Sequence, residues 1–438
     1  STVANVLKKP IYALGSGPSA APMAGLHCAE REGMRDIITV DMGGTSFDVC
    51  MVTDGEATLT TELRVEDVPV GVAAVDTHSI GAGGGSIAWI DKGGALQVGP
   101  QSAGAEPGPA CYDQGGDQPT VTDANVVLGY INPDYFLGGR REIDPDLSRQ
   151  VIDDKVAKPL GLSVPEAAVG IYRLVNSNMV DAIRVVSIEK GIDPRSYALV
   201  IGGGAGAIHG GMLAMELGLN KVIIPRYAGV FCSYGMVVSD VRHDYMRAFA
   251  ANTDTIDLDA ANSIFEELEQ QARDDLREEG FSAEDITLSR FADVKYPSQV
   301  HELTIPLPSK GKIKKDDLPG IAETFHALHE RMFSYCVRDS SVDLYHWRVT
   351  ATGKIPAIQV QEYEQGEKDA AAALKATRDV YFSQLQDYTQ TNIYDGGQLQ
   401  CRMVVEGPAV VEQENTTIVV SPKQTLEVNR YGDYVLHL

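Results

Sequence analysis

Apolar positions along the chain repeat with two periods, 2 and 3.6, and the switches between them mark the elements. "RDIITVD" (35–41) is a β-branched run bounded by charge and predicts a buried strand. "FDVCMVTDG" follows after a short turn and ends in Asp54-Gly55, a hairpin signal, and "EATLTTELRV" alternates as a third strand. Residues 35–65 therefore read as an antiparallel meander. Residues 165–190 place Ile171, Leu174, Val175 and Met179 on one helical face. "YALVIGGGAGAIHGGMLAMELG" (197–218) reads as strand, glycine turn and helix, and "NKVIIP" (220–225) as the next strand, which makes a βαβ unit. Near 250 the composition changes. Residues 258–280 predict a helix with Ile264, Leu268, Ala272 and Leu276 inward and Gly280 as its stop. "ITLSRFADVKY", "VHELTIPLP" and "YHWRVTATG" predict strands, with a helix at 321–335 carrying His326 and His329, a pair expected at the surface. From about 360 every segment is a short strand or turn.

Three glycine clusters interrupt these elements. "DMGGTSFDVC" (41–50) joins two predicted antiparallel strands. A P-loop has the form GxxxxGK[ST] and opens a helix, whereas this loop has no lysine and opens a strand. It fits a hairpin in which Gly43 and Gly44 free backbone N–H groups for phosphate oxygens, Thr45 and Ser46 add hydroxyls, and Asp41 and Asp48 flank a divalent cation. An ordinary glycine-rich hairpin with solvated aspartates fits the motif equally well when it is taken alone. The second cluster, "HSIGAGGGSIAWID" (78–91), has Gly81, Gly83, Gly84 and Gly85 where backbone approaches closely or bends tightly. The third, Gly202-x-Gly204-x-x-Ala207, has dinucleotide-fingerprint spacing, but its next strand ends in Pro225-Arg226 and not in an acidic residue. It remains an anion or nucleotide site at a helix N-terminus, with Arg226 as a conceivable 2′-phosphate reader. "VGPQSAGAEPGPACYDQGG" (98–116) predicts a long ordered loop containing Cys111, and Thr122 is expected to cap the helix that follows.

A net charge of −24 argues against a nucleic-acid surface. No apolar run is long enough to span a membrane, and "STVANVLKKP" does not read as a signal peptide. Six cysteines without a CxxC pair predict reduced, mostly buried thiols in a cytoplasmic protein.

"DMGGTSFDV", "IGAGGGSIAWID", "VGPQSAGAEPGPACY", "PTVTDANVVLGY", "GGGAGAIHG" and "SDVRHDY", in that order, resemble the hydantoinase A / 5-oxoprolinase family, over nearly the whole chain. That family includes N-methylhydantoinases, caprolactamase and the nucleotide-binding subunits of acetone and acetophenone carboxylases. The resemblance implies an α/β fold of the actin/Hsp70 (ribonuclease-H-like) ATPase type. The implied domains are a nucleotide-binding domain at 1–248, an α+β middle domain at 249–358 and a small C-terminal β-rich domain at 359–438. The family's first phosphate hairpin, "DxGGTxTD", is absent, so the chain resembles the C-terminal two-thirds of a member. The N-terminal half is then expected on the same protein or on a separate chain.

The same resemblance makes Asp41 to Asp48 the second phosphate hairpin. It implies ATP and Mg²⁺ as cofactors, with Gly43, Gly44, Thr45 and Ser46 on the phosphates and Asp41 and Asp48 as catalytic and metal residues. Gly202, Gly203, Gly204 and Gly206 become the adenosine loop, and Gly83, Gly84, Gly85 and Ser86 sit near the phosphates or the interdomain cleft. A hydantoinase-B-like subunit and a small-molecule substrate are implied as partners. Family members phosphorylate an unreactive group: the oxygen of a lactam or hydantoin, or bicarbonate and a ketone's enolate. The leading expectation is an ATP-dependent subunit for hydrolysis of a cyclic amide (hydantoin, oxoproline or lactam), with a ketone carboxylase subunit as the alternative. A scaffold without turnover and a dehydrogenase built on Gly202 are weaker readings, given Asp41, Thr45 and Asp48. Two departures from the family pattern stand out: Ser298 in "KYPSQ" where relatives carry Gly, and Ser334 in "FSY" where many carry "FGY".

Overall fold

The strand Ile37–Met42 has both faces apolar, with Ile37, Ile38, Val40 and Met42 fully buried, and so it takes a central place in the main sheet. In the computed structural model, which describes residues 6–7, 10–13, 15–60, 63–65, 68–70, 74–297 and 299–438, that sheet has nine strands. Their order is Val404–Glu406, Thr425–Val428, Tyr434–His437, Lys221–Ile224, Ala198–Gly202, Ile37–Met42, Phe47–Thr53 and Glu56–Ala57, with His78–Ile80 also pairing to Phe47–Thr53. The predicted meander and βαβ unit are both present. Ile37–Met42 runs antiparallel to Phe47–Thr53 and parallel to Ala198–Gly202, which in turn runs parallel to Lys221–Ile224. The Asp54-Gly55 turn forms with both residues at positive φ. "EATLTTELRV" is broken into Glu56–Ala57, Leu59–Thr60 and Leu63–Val65, with 61 and 62 outside the described residues.

Register places Asp41 level with Gly202 on one side and with Asp48 on the other. The loops after Met42 and after Gly202 therefore leave the same end of the sheet. This is the carboxyl end of its parallel strands, where open α/β sheets hold their ligands. Helix Val164–Val186 packs Ile171, Val175 and Met179 into the core beneath this sheet.

The structure changes two expectations nearby. Helix Val121–Val127 is capped by Thr120, not Thr122: Thr120 and Asp123 form a reciprocal capping box, and Thr122 lies inside the first turn. The strand-rich C-terminal segment does not stand as a domain of its own. Residues 358–438 share a compact unit with 15–238, because three of their strands extend the main sheet. The others form a second sheet, ordered Leu374–Phe382, Asp387–Asp395, Ala409–Glu412 and Thr417–Val420. Alternation reveals that a segment is a strand but not which edge it joins.

Residues 239–357 belong to the other compact unit, which also takes in the described residues before Gly15. It is an antiparallel sheet ordered Val241–Asn252, Asp343–Gly353, Ile286–Lys295 and Leu303–Leu307, with helices Leu258–Glu278 and Leu318–Phe333. Trp347, Phe265, Leu268, Ala272 and Leu276 fill its core. His326 and His329 are buried, contrary to the surface position expected of them. Tyr296 hydroxyl meets His326 Nδ1 at 2.7 Å, and His329 lies between Gln299 Nε2 and Tyr335 carbonyl, both at 2.8 Å. The helix Leu318–Phe333 ends on Ser334 at φ +63°, while Ser298 lies outside the described residues. No helix among the described residues is long and apolar enough to cross a membrane.

Candidate functional site

The tip of the first hairpin, Gly43 to Ser46, is closed by a bond from Gly43 N–H to Ser46 carbonyl (3.3 Å). Gly44 and Thr45 are exposed there, and among the described residues no protein acceptor takes their N–H groups. Asp41 and Asp48 face each other across the base of the hairpin, both half-buried. Ser46 hydroxyl donates to Asp48 Oδ2 at 3.2 Å, and Ser79 hydroxyl donates to Asp48 Oδ1. The thiol of Cys232, on helix Phe231–Val238, donates to Asp41 Oδ2 at 3.1 Å.

Burial raises the Asp41 carboxyl above the usual aspartate range; the Cys232 hydrogen bond opposes this and the Asp48 charge adds to it. The Cys232 thiol is pushed up to about 12, by burial first and then by the Asp41 charge, and so stays protonated as the donor.

The second glycine cluster lies under the hairpin as a buttress. Gly84 N–H donates to Gly43 carbonyl (3.0 Å) and Gly85 N–H to Gly44 carbonyl (2.6 Å). Gly83 N–H is taken by Ser86 Oγ at 2.8 Å, and Ser86 hydroxyl donates to Gly81 carbonyl at 3.1 Å. Gly83, Gly85 and Ser86 are thus buried, with their polar groups spent within the protein, and of this cluster Gly84 lines the cavity. Thr122 fixes the buttress to its helix through two bonds to Gly84 carbonyl, from N–H (2.7 Å) and hydroxyl (2.9 Å).

The third loop closes the other flank. Gly203 sits at φ +83°, and a Cβ there would lie 2.1 Å from Met42 carbonyl oxygen. Ala205 N–H donates to that same carbonyl at 3.1 Å. Gly202 and Gly206 are buried against Phe231 and Ile201, while Gly204 is exposed to the cavity. All three clusters predicted from glycine spacing are therefore in direct contact at one end of the sheet.

They open on a cavity of about 280 Å³. Gly43, Gly44, Gly84, Gly204 and Ala205 line one side. The other walls are Tyr112, Ile131, Tyr135, Phe136 and Leu137, together with the loop 412–417. These walls were missed in the sequence. Tyr112 sits in the long loop already singled out, but 131–137 and 412–417 carry no glycine signature and reach the site only through the tertiary fold. The 412–417 loop is held on both sides. Thr416 hydroxyl donates to Gly204 carbonyl at 3.0 Å, and buried Glu412 takes Lys375 Nζ at 2.8 Å and the guanidinium of Arg378.

Cys111 is buried, and burial raises its thiol well above the ordinary range, which fits a structural role. The guanidinium of Arg226 lies over the ring of Tyr363. One group of three metal-type donors occurs among the described residues, Asp293, Glu302 and His346 in the 239–357 unit. There Arg348 already forks Asp293 with contacts of 2.6 to 2.9 Å and Thr304 donates to it at 2.6 Å.

The glycine hairpin, flanked by paired aspartates, thus lies at the carboxyl end of the parallel strands of an α/β sheet of the actin/Hsp70-like type. Residues 1–245 match the hydantoinase/oxoprolinase family and residues 250–437 its C-terminal domain, so the chain belongs to the hydantoinase/oxoprolinase family. It is 37% identical to caprolactamase subunit alpha of Pseudomonas jessenii over 98% of this chain and 62% of that one. It is 35% identical to the acetophenone carboxylase gamma subunit of Aromatoleum aromaticum over 99% of this chain and 60% of that one. The crystal structure of the ATP-dependent caprolactamase from P. jessenii superposes with a TM-score of 0.87, covering 98% of this chain and 62% of that one at 37% identity. A nucleotide-free acetone carboxylase structure superposes with a TM-score of 0.82, covering 96% and 61% at 28% identity. The chain thus spans about three fifths of the length of these relatives.

Proposed function

We propose that this chain is the nucleotide-binding part of a cytoplasmic enzyme that uses Mg-ATP to activate a small molecule by phosphorylation, and that the small molecule is a cyclic amide. The observation that carries this is the Gly43–Ser46 hairpin: among the described residues no protein acceptor takes its Gly44 and Thr45 N–H groups, and Gly43 and Gly44 line an aromatic-walled cavity. The donor set suits the ligand. Backbone N–H groups bind phosphate oxygens, and two carboxylates are what Mg²⁺ commonly takes from protein when phosphates and water complete its shell. Asp41 and Asp48 are the residues that would hold the cation, Ser46 and Ser79 orient Asp48, and Cys232 orients Asp41. Gly84 and Gly204 border the phosphate end, and Tyr112 and Phe136 form apolar walls fit for a base. Bound ATP supplies a transferable phosphoryl group, which turns an amide oxygen into a leaving group.

The 37% identity to a caprolactamase subunit favours the cyclic amide. The similarity to acetophenone and acetone carboxylases supports a second reading, a ketone carboxylase subunit. Relatives named as alpha and gamma subunits support a hydantoinase-B-like partner. A further lobe, on a longer version of this chain or on a separate one, would complete the cleft. Six free cysteines accord with a reducing compartment.

The test is ATP-dependent phosphate release by the assembled enzyme on 5-oxoproline, hydantoin and ε-caprolactam, against acetone and acetophenone with bicarbonate. Release coupled to ring opening supports the amide reading. Release only with ketone and bicarbonate replaces it with the carboxylase.

A further inference from the structure

Helix Val121–Val127 reaches the cavity with two side chains three residues apart, and so on the same face. Thr122 bonds the buttress glycine Gly84 at the phosphate end. Asn125 lies nearly one turn further along, on the floor of the same cavity. It is 1% exposed, and among the described residues its Oδ1 has no hydrogen-bond partner. Its Nδ2 is occupied by a long contact, 3.5 Å, to Nε2 of His209.

His209 is fully buried on helix Gly206–Leu217, directly after the third glycine loop. Its ring stacks on Tyr172 with centroids 5.0 Å apart, and among the described residues its Nδ1 is also unpartnered. Burial alone lowers its pKa to about 3, so the ring is neutral at physiological pH.

A buried amide oxygen without a donor is costly, and native proteins retain few of them without a purpose. Here the unpaired acceptor belongs to a residue that lines a cavity whose near end is formed by Gly43, Gly44, Gly84 and Gly204 and whose far walls are aromatic. We propose that Asn125 reads the base of the bound nucleotide, with Oδ1 accepting a hydrogen bond from the exocyclic 6-amino group of adenine and His209 holding the amide in that orientation. The assignment rests on the nucleotide reading of the site. A 6-oxo purine places an acceptor where the amine was and leaves two acceptors facing each other, so hypoxanthine and guanine are rejected. A ribose hydroxyl is the other donor a nucleotide offers, and the test separates the two.

The experiment is titration of the protein with ATP, ITP and 2′-deoxy-ATP, each with Mg²⁺, followed by the same titrations on Asn125→Leu. The wild-type protein is expected to bind ATP at least ~10-fold more tightly than ITP and to bind 2′-deoxy-ATP within ~3-fold of ATP. In Asn125→Leu, ATP affinity falls to that of ITP, and ITP affinity moves by less than ~3-fold. Equal wild-type affinities for ATP and ITP overturn the assignment without any variant. Loss confined to 2′-deoxy-ATP overturns it in favour of the ribose. A wild-type protein that binds no triphosphate overturns the nucleotide reading together with this inference. Should Asn125→Leu misfold, the wild-type comparison decides alone.

Discussion

A Cβ on Gly83 would lie 2.4 Å from the backbone nitrogen of Thr45, so the buttress loop meets the tip of the Gly43–Ser46 hairpin with no room for a side chain. The neighbouring bonds, Gly84 to Gly43 and Gly85 to Gly44, fix the two loops as one body. Gly83→Ala has to push the tip away, and displacing oriented N–H groups by even 1 Å forfeits their alignment. Nucleotide affinity is expected to fall at least ~10-fold, with a stability loss of about 1–3 kcal/mol as for other overpacking substitutions. Parallel titration and thermal melting check both, and unchanged affinity would show that the hairpin tip does not touch the ligand.

Acid should weaken the site sooner than an ordinary aspartate would. Asp41 titrates above the ordinary aspartate range, because burial outweighs the Cys232 hydrogen bond. Its folded-state pKa is raised, so ionising it opposes folding above the unfolded value, and the proton leaves only at higher pH. A divalent cation needs the ionised form, so Mg-ATP affinity declines on acidification through the raised pKa. Cys232→Ala removes the interaction that lowers that pKa and should move the decline to higher pH. Coincident pH profiles for wild type and variant would refute the coupling.

Arg378 ties the cavity wall to the core. It pairs with buried Glu412 and donates to the carbonyls of Gly129 (2.9 Å) and Tyr130 (3.0 Å). Burial by itself would raise the Glu412 carboxyl, but Lys375 and Arg378 outweigh it and hold the group below its usual range. Its stabilising contribution is present above the unfolded value, 4.5, and is lost as pH falls through the folded one. Arg378→Met leaves Glu412 underpaired and is expected to cost about 3 kcal/mol at neutral pH. Chemical denaturation at pH 7 and pH 4 measures it, and the difference between the proteins should shrink at pH 4.

Ser334 occupies a left-handed position at the end of helix Leu318–Phe333, with φ +63° and its N–H bonded to Glu330 carbonyl at 2.8 Å. Glycine tolerates that conformation without a Cβ penalty. Ser334→Gly should therefore stabilise the protein by about 0.5–1 kcal/mol, read from denaturant midpoints.

These residues also show what was legible in the sequence. The hairpin at 41–50 and the βαβ unit at 197–225 follow from β-branched runs and glycine punctuation, which are local signals, and both formed as predicted. Glycine spacing also marked the three loops that meet at the hairpin end of the site, but not the 131–137 and 412–417 walls. It did not reveal their division of labour: Gly43, Gly44, Gly84 and Gly204 reach the cavity, while Gly83, Gly85 and Ser86 are consumed in supporting the hairpin. Residues joined across long sequence separations were invisible, such as Cys232 on Asp41 and Thr416 on Gly204. Short strands near 404–437 carried their type but not their place at the edge of the main sheet. Thr120 was within reach, since Thr120-x-x-Asp123 has capping-box spacing.

The most direct test of the central claim is calorimetric titration of Mg-ATP into this chain and into its Asp41→Asn variant. Saturable binding at about micromolar Kd that weakens at least ~10-fold in the variant is the predicted result, equivalent to about 1.4 kcal/mol or more. Binding of equal strength in both proteins, or to neither, would contradict the assignment of this hairpin as the phosphate site.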